Sequence, residues 1–425
     1  MPQDHSAPQG ASTFAPLSPD LMTGLADLAV RVGLNLQPGQ DLVMTTPLGA
    51  LPLARAITEA AYRAGAGIVT PLISDSAMTL ARYQHAQAAS FDRAPDWLYG
   101  GMAQAFEAGA ARLAIVGDDP MLLAGQDAAR VSRANRANAQ AYRPALAAIS
   151  GFAINWSIIA CPTPDWAGRI FPDLAPEAAL ARLSDAIRLT ARLDKADPIA
   201  AWAAHNAHLA ARCAMLNDAR FDALRFQGPG TDLRVGLAEG HFWQGGASQA
   251  QNGVRCNPNI PTEEVFTTPH ATRVDGHVRA TKPLSHQGSL IEEIEMRFEG
   301  GRAVSARAAR GEDVLREMLA TDDGAARLGE VALVPHSSPV SQSGLLFFNT
   351  LFDENAASHI AMGQCYASCL QGGETLSKDE IAARGGNSSL IHVDWMIGSD
   401  AMDVDGLDSA GVAHPLMRKG EWIAT

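Results

Sequence analysis

Gln40-Asp41-Leu42-Val43-Met44-Thr45 reads as a short apolar strand, and the segments next to it decide the fold. Leu53 to Ala64 is an Ala-rich helix closing at Gly65 and Gly67, and Ile68-Val69-Thr70-Pro71-Leu72-Ile73 is the next strand. Strand, helix and strand in succession mark a parallel pair, because parallel neighbours need a crossover between them. The alternation extends both ways. Ser18-Pro19-Asp20 opens a helix, with Ser18 as N-cap and Pro19 at the first helical position. Leu21, Leu25, Leu28 and Val32 come next at helical spacing, and Gly33 ends it. Pro95 to Ala108 reads as helix and Leu113-Ala114-Ile115-Val116 as strand. The N-terminal part is therefore expected to be an α/β domain with a parallel sheet.

Two helices, Pro176 to Leu193 and Pro198 to Leu216, precede a change of texture. Leu224 to Leu237, Thr262 to Thr268, Gly276 to Leu284, Ile291 to Phe298 and Val304 to Arg307 read as short strands set between Gly, Pro and Asp. Gly300-Gly301 is a hairpin turn between the last two. Helical texture returns at Glu312 to Leu319 and at Asn355 to Cys369. The expected organisation is a tail over 1–15, the α/β domain over 16–196, and a C-terminal α+β domain over 197–425, rich in antiparallel strands and carrying the chemistry.

The formal net charge of -13 argues against nucleic acid, since phosphate binding wants a surplus of Lys and Arg. The Ala/Pro/Gln/Ser-rich start lacks the basic and apolar regions of a signal peptide, and no stretch approaches the ~20 apolar residues of a spanning helix. A cytoplasmic protein without membrane contact is expected. Five scattered cysteines fit no secreted disulfide framework. Cys365 and Cys369, four apart, would share a helix face, as a zinc pair or as buried thiols.

Eight of the twelve histidines fall after Leu237, which points the chemistry to the C-terminal half. In Ile391-His392-Val393-Asp394-Trp395 the imidazole and carboxylate share one strand face while Ile391 and Val393 take the other. That pair reads either as two metal ligands or as an Asp orienting a His. Glu264 precedes Val265-Phe266, with Glu263 on the opposite side, and Glu330 stands at the mouth of the apolar run Val331 to Val334. Each alone reads equally as an ordinary strand-end acid. Glu354 to His359 is expected to open a helix, placing His359 and Tyr366 two turns apart on one face. Arg279 and Thr281 share a strand face, either as a cation near a substrate or as surface charge. Together these acids and histidines would suit two divalent ions if a fold gathered them. There is no His-Glu-x-x-His, no Gly-x-Ser-x-Gly and no phosphate-binding Gly-x-x-x-x-Gly-Lys-Ser/Thr.

At these same residues the chain resembles the M29 family of metallo-aminopeptidases, the group of aminopeptidase T, aminopeptidase S and PepS-like enzymes. The likeness runs through Val32 to Gln40, Ala60 to Ala66, Gly228 to Leu233, Asn259 to Phe266, Gly329 to Val334, Phe352 to His359 and Asn387 to Ser399. The resemblance implies a cocatalytic pair of divalent ions, zinc or cobalt, with manganese or magnesium as alternatives. It places metal ligands at Glu264, Glu330, His359, His392 and Asp394, with Glu330 the bridge. It puts Tyr366 near the site as a transition-state contact and Glu354 as ligand or base. Glu263 or Glu354 would carry a proton to the leaving amine. The implied reaction is release of N-terminal residues, leucine-type and others, from short peptides by attack of a metal-activated hydroxide on a polarised carbonyl. A homodimer enclosing the sites is implied as well. A dimetal amidase or dipeptidase acting on another amide is the alternative activity. A binding protein with a structural metal fits less well, because structural sites favour Cys ligands.

Overall fold

The computed structural model describes residues 17–286 and 288–423. The tail expected over Met1 to Ala15 lies outside the described residues. The first helix, Pro19–Leu28, starts as its sequence requires: Ser18 Oγ accepts from the Leu21 amide and Pro19 occupies the first turn. It continues as a wider turn over Ala29–Gly33. Strands Leu42–Pro47, Val69–Ser74 and Ala111–Val116 then lie parallel, joined through helices Leu51–Arg63 and Asp96–Glu107.

Helix Ala128–Ser150 and strand Trp156–Ala160 were not anticipated from the sequence. That helix buries only Ala134, Ala145 and Ile149, so its apolar stripe is too thin to read. The strand pairs parallel with Ala111–Val116 and extends the sheet. A fifth parallel strand, Asn259–Ile260, comes from well past the two long helices Pro176–Thr190 and Pro198–Ala219. The chain thus returns to the first sheet just before entering the segment that bears Glu263 and Glu264. The core around this sheet also takes in Val340, Phe347, Phe352 and Ala356, which seats the Glu354 segment against it.

The remaining strands are antiparallel. An eight-stranded sheet runs from Arg302–Arg307 at one edge to Glu421–Trp422 at the other. Its hairpin between Glu295–Glu299 and Arg302–Arg307 turns at Gly300 and Gly301, with φ of +52° and +79°. A separate four-stranded sheet is ordered Val265–Thr267, Leu328–Leu333, His359–Gly363, His392–Met396.

The helix expected over Asn355 to Cys369 is corrected. Glu354–Ala356 and Ala367–Cys369 are single tight turns, and His359–Gly363 is a strand paired on both sides. All five of its residues are buried, so no alternation marks it as a strand, and pairing with two neighbours overrides local preference. Gly363 fixes the outcome locally: it has φ +106°, and a Cβ there would lie 2.1 Å from Ile391 O. His359 and Tyr366 therefore do not share a helix face, and Cys365 and Cys369 do not either.

Candidate metal centre

The four-stranded sheet has one face toward an apolar core and one toward a cleft. Cross-strand pairing sets Glu330, Ala361 and Asp394 in one row, Phe266, Ala332, His359 and Met396 in the next, and Gly363 beside His392. Side chains two apart on a strand share a face, so Glu264 joins Phe266 on this side. Val265, Val331, Leu333, Ile360, Met362 and Trp395 point the other way and form the core. Four apolar strands thus hold five polar groups on one rigid surface, and Ala361 and Gly363 leave room above it.

The five groups form two overlapping sets. Ligand atoms of Glu264, Glu330 and His359 lie within 4.8 Å of one another, as do those of Glu330, His392 and Asp394. Glu330 belongs to both. His359 Nε2 is 3.1 Å from Glu264 Oε2 and 3.5 Å from Glu330 Oε1. His392 Nε2 is 3.4 Å from Glu330 Oε2 and 3.5 Å from Asp394 Oδ1. Yet His359 Nε2 and Asp394 Oδ1 are buried with no aligned hydrogen-bond partner. Buried polar atoms that converge without bonding to each other call for a cation between them. The spacing agrees: ligands of a tetrahedral ion at about 2.0–2.1 Å stand roughly 3.3–3.4 Å apart.

The backbone sets the imidazoles for this task. His359 Nδ1 bonds the Ala357 carbonyl at 3.1 Å and His392 Nδ1 bonds the Gln364 carbonyl at 2.7 Å. Donation from Nδ1 leaves the Nε2 lone pairs directed into the cluster. Gly329, the bulged residue before Glu330, permits the close approach. A Cβ there would fall 2.3 Å from the same Gln364 oxygen.

The electrostatics reflect carboxylates crowded out of water. Burial first, then Glu330 and Asp394, raises the Glu264 carboxyl above its ordinary range despite His359. Burial opposes charging of His359 and His392, yet the adjacent carboxylates outweigh it and raise both well above the usual imidazole value. Asp394 is buried too, but His392 beside it holds its carboxyl below the ordinary value. Without a cation the cluster retains protons that metal binding would displace.

Glu354 lies in the wall of the same cleft, outside both triads. Burial, then Glu264 and Asp394, pushes its carboxyl well up. Tyr366 packs its ring 4.7 Å from that of His392, and its 42% exposure is to the cleft interior. Surrounding protein and the carboxylates of Glu330 and Asp394 push its phenol well up. The cleft encloses about 360 Å³.

Glu263 is set apart, and its reading as a proton carrier at the cluster is corrected. It shares the Val265 face of its strand and meets Arg192 instead. Arg192 Nη2 donates to Oε2 at 3.0 Å and lies 2.8 Å from Oε1, out of line for a second bond. Burial pushes the Glu263 carboxyl up to about 7 against the pull of Arg192. It borders a different cavity of about 640 Å³, larger than the cleft but without the metal-competent groups. Arg279 pairs with Glu293 at the surface. Among the described residues, neither metal-competent set includes a cysteine, and Cys365 and Cys369 are buried thiols.

Asn355, a capping candidate by its sequence position, has another role in the structure. Asn355, fully buried, accepts the Glu263 amide at 2.6 Å and donates to Leu351 O at 2.9 Å. It ties the strand bearing Glu264 to the turn bearing Glu354, a link across 92 positions that no local pattern announces.

The family model described as thermophilic metalloprotease (M29) matches residues 20–422. Aminopeptidase T of Thermus aquaticus is 55% identical over 399 residues, which is 94% of this chain and 97% of that one. Aminopeptidase 2 of Geobacillus stearothermophilus is 46% identical over 397 residues, 93% of this chain and 96% of that one. The solved structure of wild-type AmpT from Thermus thermophilus superposes with a TM-score of 0.90 at 53% identity, covering 95% of this chain and 99% of that one.

Proposed function

The chain belongs to the thermophilic metalloprotease (M29) family, and from that premise we propose a dimetal aminopeptidase that releases N-terminal residues, leucine among them, from short peptides. A metal-dependent aminopeptidase is what the relatives support; the ion count, the substrate range and the residue roles are our reading. One observation carries it: two ligand triads share Glu330, and two of their buried atoms lack hydrogen-bond partners.

In this reading Glu264, Glu330 and His359 hold one ion, and Glu330, His392 and Asp394 hold the other. Ions so held supply Lewis acidity and lower the pKa of water. Zinc and cobalt suit the mixed imidazole and carboxylate set, with manganese or magnesium as alternatives. The chain's own groups do the rest. Backbone carbonyls behind His359 and His392 hold both rings in place. Glu354, free of both triads, carries the proton to the leaving amine. The Tyr366 phenol, kept protonated, donates to the oxyanion that develops on the scissile carbonyl. The acidic cluster also meets the substrate's free α-amine, which limits cleavage to the first residue. The division at 196/197, a homodimer enclosing the sites and a cytoplasmic location complete the proposal, on the family resemblance. No described helix is long and apolar enough to cross a membrane.

The test is hydrolysis of leucine p-nitroanilide before and after EDTA treatment, with zinc, cobalt and manganese added back and bound metal counted. Activity lost on stripping and restored by about two ions per chain supports the reading. Full activity in rigorously metal-free protein refutes it.

A further inference from the structure

One wall of the cleft comes from the parallel sheet and not from the four-stranded sheet that bears the acidic cluster. Arg112 lies on the central strand Ala111–Val116, paired with Val43 on one side and Trp156 on the other. Cross-strand partners share a face, so Arg112 and Trp156 project together beneath helix Ala128–Ser150, whose Tyr142 and Ile149 line the same cleft. Arg112 Nε and Trp156 Nε1 are both buried donors with no acceptor. Among the described residues no carboxylate faces this guanidinium; the ionisable group acting on it is the Tyr142 phenol. Burial pulls the pKa of Arg112 down, but a guanidinium stays charged at neutral pH. A half-buried cation without a carboxylate partner is poorly compensated, and two unpaired donors on paired strands suit an acceptor-bearing anion.

Arg192 shows the contrast. On the far side of the Val265 strand, it is paired with Glu263 at 2.8 Å. Arg112 has no such partner, and it borders the cleft that also contains Glu264, Glu330 and His392. The shared lining is mixed: Phe152 packs against Trp156 and Phe266 against Tyr366, and Ile158 stands with the uncharged polar Gln244, Asn259 and Thr262. A ligand fitting this cleft carries a group for the acidic metal cluster at one end and a carboxylate at the other.

We propose that Arg112, with the Trp156 indole N–H, binds a carboxylate of the peptide substrate and so sets which peptides are cleaved. A short peptide meets this chemistry with its amine at the metal cluster and its terminal carboxylate at Arg112. An acidic side chain downstream of the scissile bond offers the same group. The inference rests on the aminopeptidase reading for its substrate, but binding tests it separately.

The experiment compares Leu-Gly, Leu-Gly-Gly and Leu-Gly-Gly-Gly with their C-terminal amides, and Leu-Asp-amide with Leu-Asn-amide, on metal-loaded protein. At the length that spans the cleft, or for the Asp peptide, the carboxylate form gains about tenfold to a hundredfold, mostly in KM. Arg112→Met brings that ratio near one and leaves hydrolysis of leucine amide unchanged. Trp156→Phe, which removes only the donor, lowers the ratio partway and serves if Arg112→Met fails to fold. A gain with the terminal acids identifies the C-terminus as the source; a gain with Leu-Asp-amide identifies the side chain. A non-hydrolysable Leu-Gly-Gly analogue, with its first amide reduced, is titrated calorimetrically against its own C-terminal amide. Tighter binding of the acid, lost in Arg112→Met, supports the site even if wild-type protein leaves leucine amide intact, an outcome that would sink the hydrolase reading alone. Equal rates and equal binding for acids, amides and Asp peptides overturn the proposal.

Discussion

Glu263→Gln separates two roles open to adjacent glutamates, and its effect can be worked from the buried pair. Glu263 is 4% exposed and stands 2.8 Å from Arg192, which is itself 11% exposed. At an effective dielectric of 20 that pair is worth about 6 kcal/mol of attraction. Removing both charges from water costs several kcal/mol per ion. Burial is the larger effect on the carboxyl, whose pKa rises from 4.5 to about 7. The folded state therefore holds a proton that the unfolded chain has released between those values. Stability from this residue is greatest below about pH 4.5 and falls as pH rises to about 7, by on the order of 3 kcal/mol in all. Glutamine mimics the protonated acid and has no such slope. Relative to wild type, Glu263→Gln should gain stability as pH rises from about 5 to 8. For a chain of 425 residues, unfolding entropy near 0.9 kcal/mol/K turns that into roughly 3–4 °C of melting temperature. Differential scanning calorimetry across that range reads the gain, while leucine p-nitroanilide hydrolysis and metal content should be unchanged. A difference in melting temperature that does not vary with pH would refute the electrostatic argument. A hundredfold loss of kcat with normal metal content would restore Glu263 as a proton carrier.

Further predictions address the cluster itself. Glu330→Ala breaks both triads, so plasma emission analysis should find less than about one ion per chain, whereas His359→Ala should retain more. Tyr366→Phe should lower kcat by about tenfold to a thousandfold with KM and metal content little changed, as expected for a donor used only in the transition state. Chelation should destabilise the fold; removing an ion present at a thousand times its Kd costs about 4 kcal/mol, visible as a lower melting temperature that zinc restores. Asn355→Ala leaves the Glu263 amide buried without its acceptor, at a cost of about 1–3 kcal/mol, and should reduce kcat by shifting Glu354 relative to Glu264.

How much was legible in the chain varies with how local each cause is. The strands Leu42–Pro47 and Val69–Ser74 and the helix between them arise from apolar runs, a proline and glycines within a few residues. The Gly300-Gly301 hairpin arises from two residues able to take positive φ. The His392-Asp394 pair is set by strand alternation alone. His359–Gly363 does not look like a strand in the sequence, because burial on both faces erases the alternation that identifies one. Helix Ala128–Ser150 is hidden for the opposite reason: it buries too few residues to show a period.

The sequence by itself determined the alternating α/β start, the antiparallel texture after it, and the kinds of group available for chemistry. These depend on propensity and periodicity, which act over one or two turns. Only the tertiary structure decided which groups meet. Four strands drawn from positions 265 to 396 bring Glu264, Glu330, His359, His392 and Asp394 to one face. The same pairing sends Glu263, one residue away from Glu264, to Arg192 on the other side. A strand reverses its facing direction at every residue, so neighbours in sequence part company while residues scores of positions apart converge. Arg112 shows it most plainly: a lone arginine in an apolar strand says nothing until the sheet, the helix above it and the strands bearing the acidic cluster enclose one cleft.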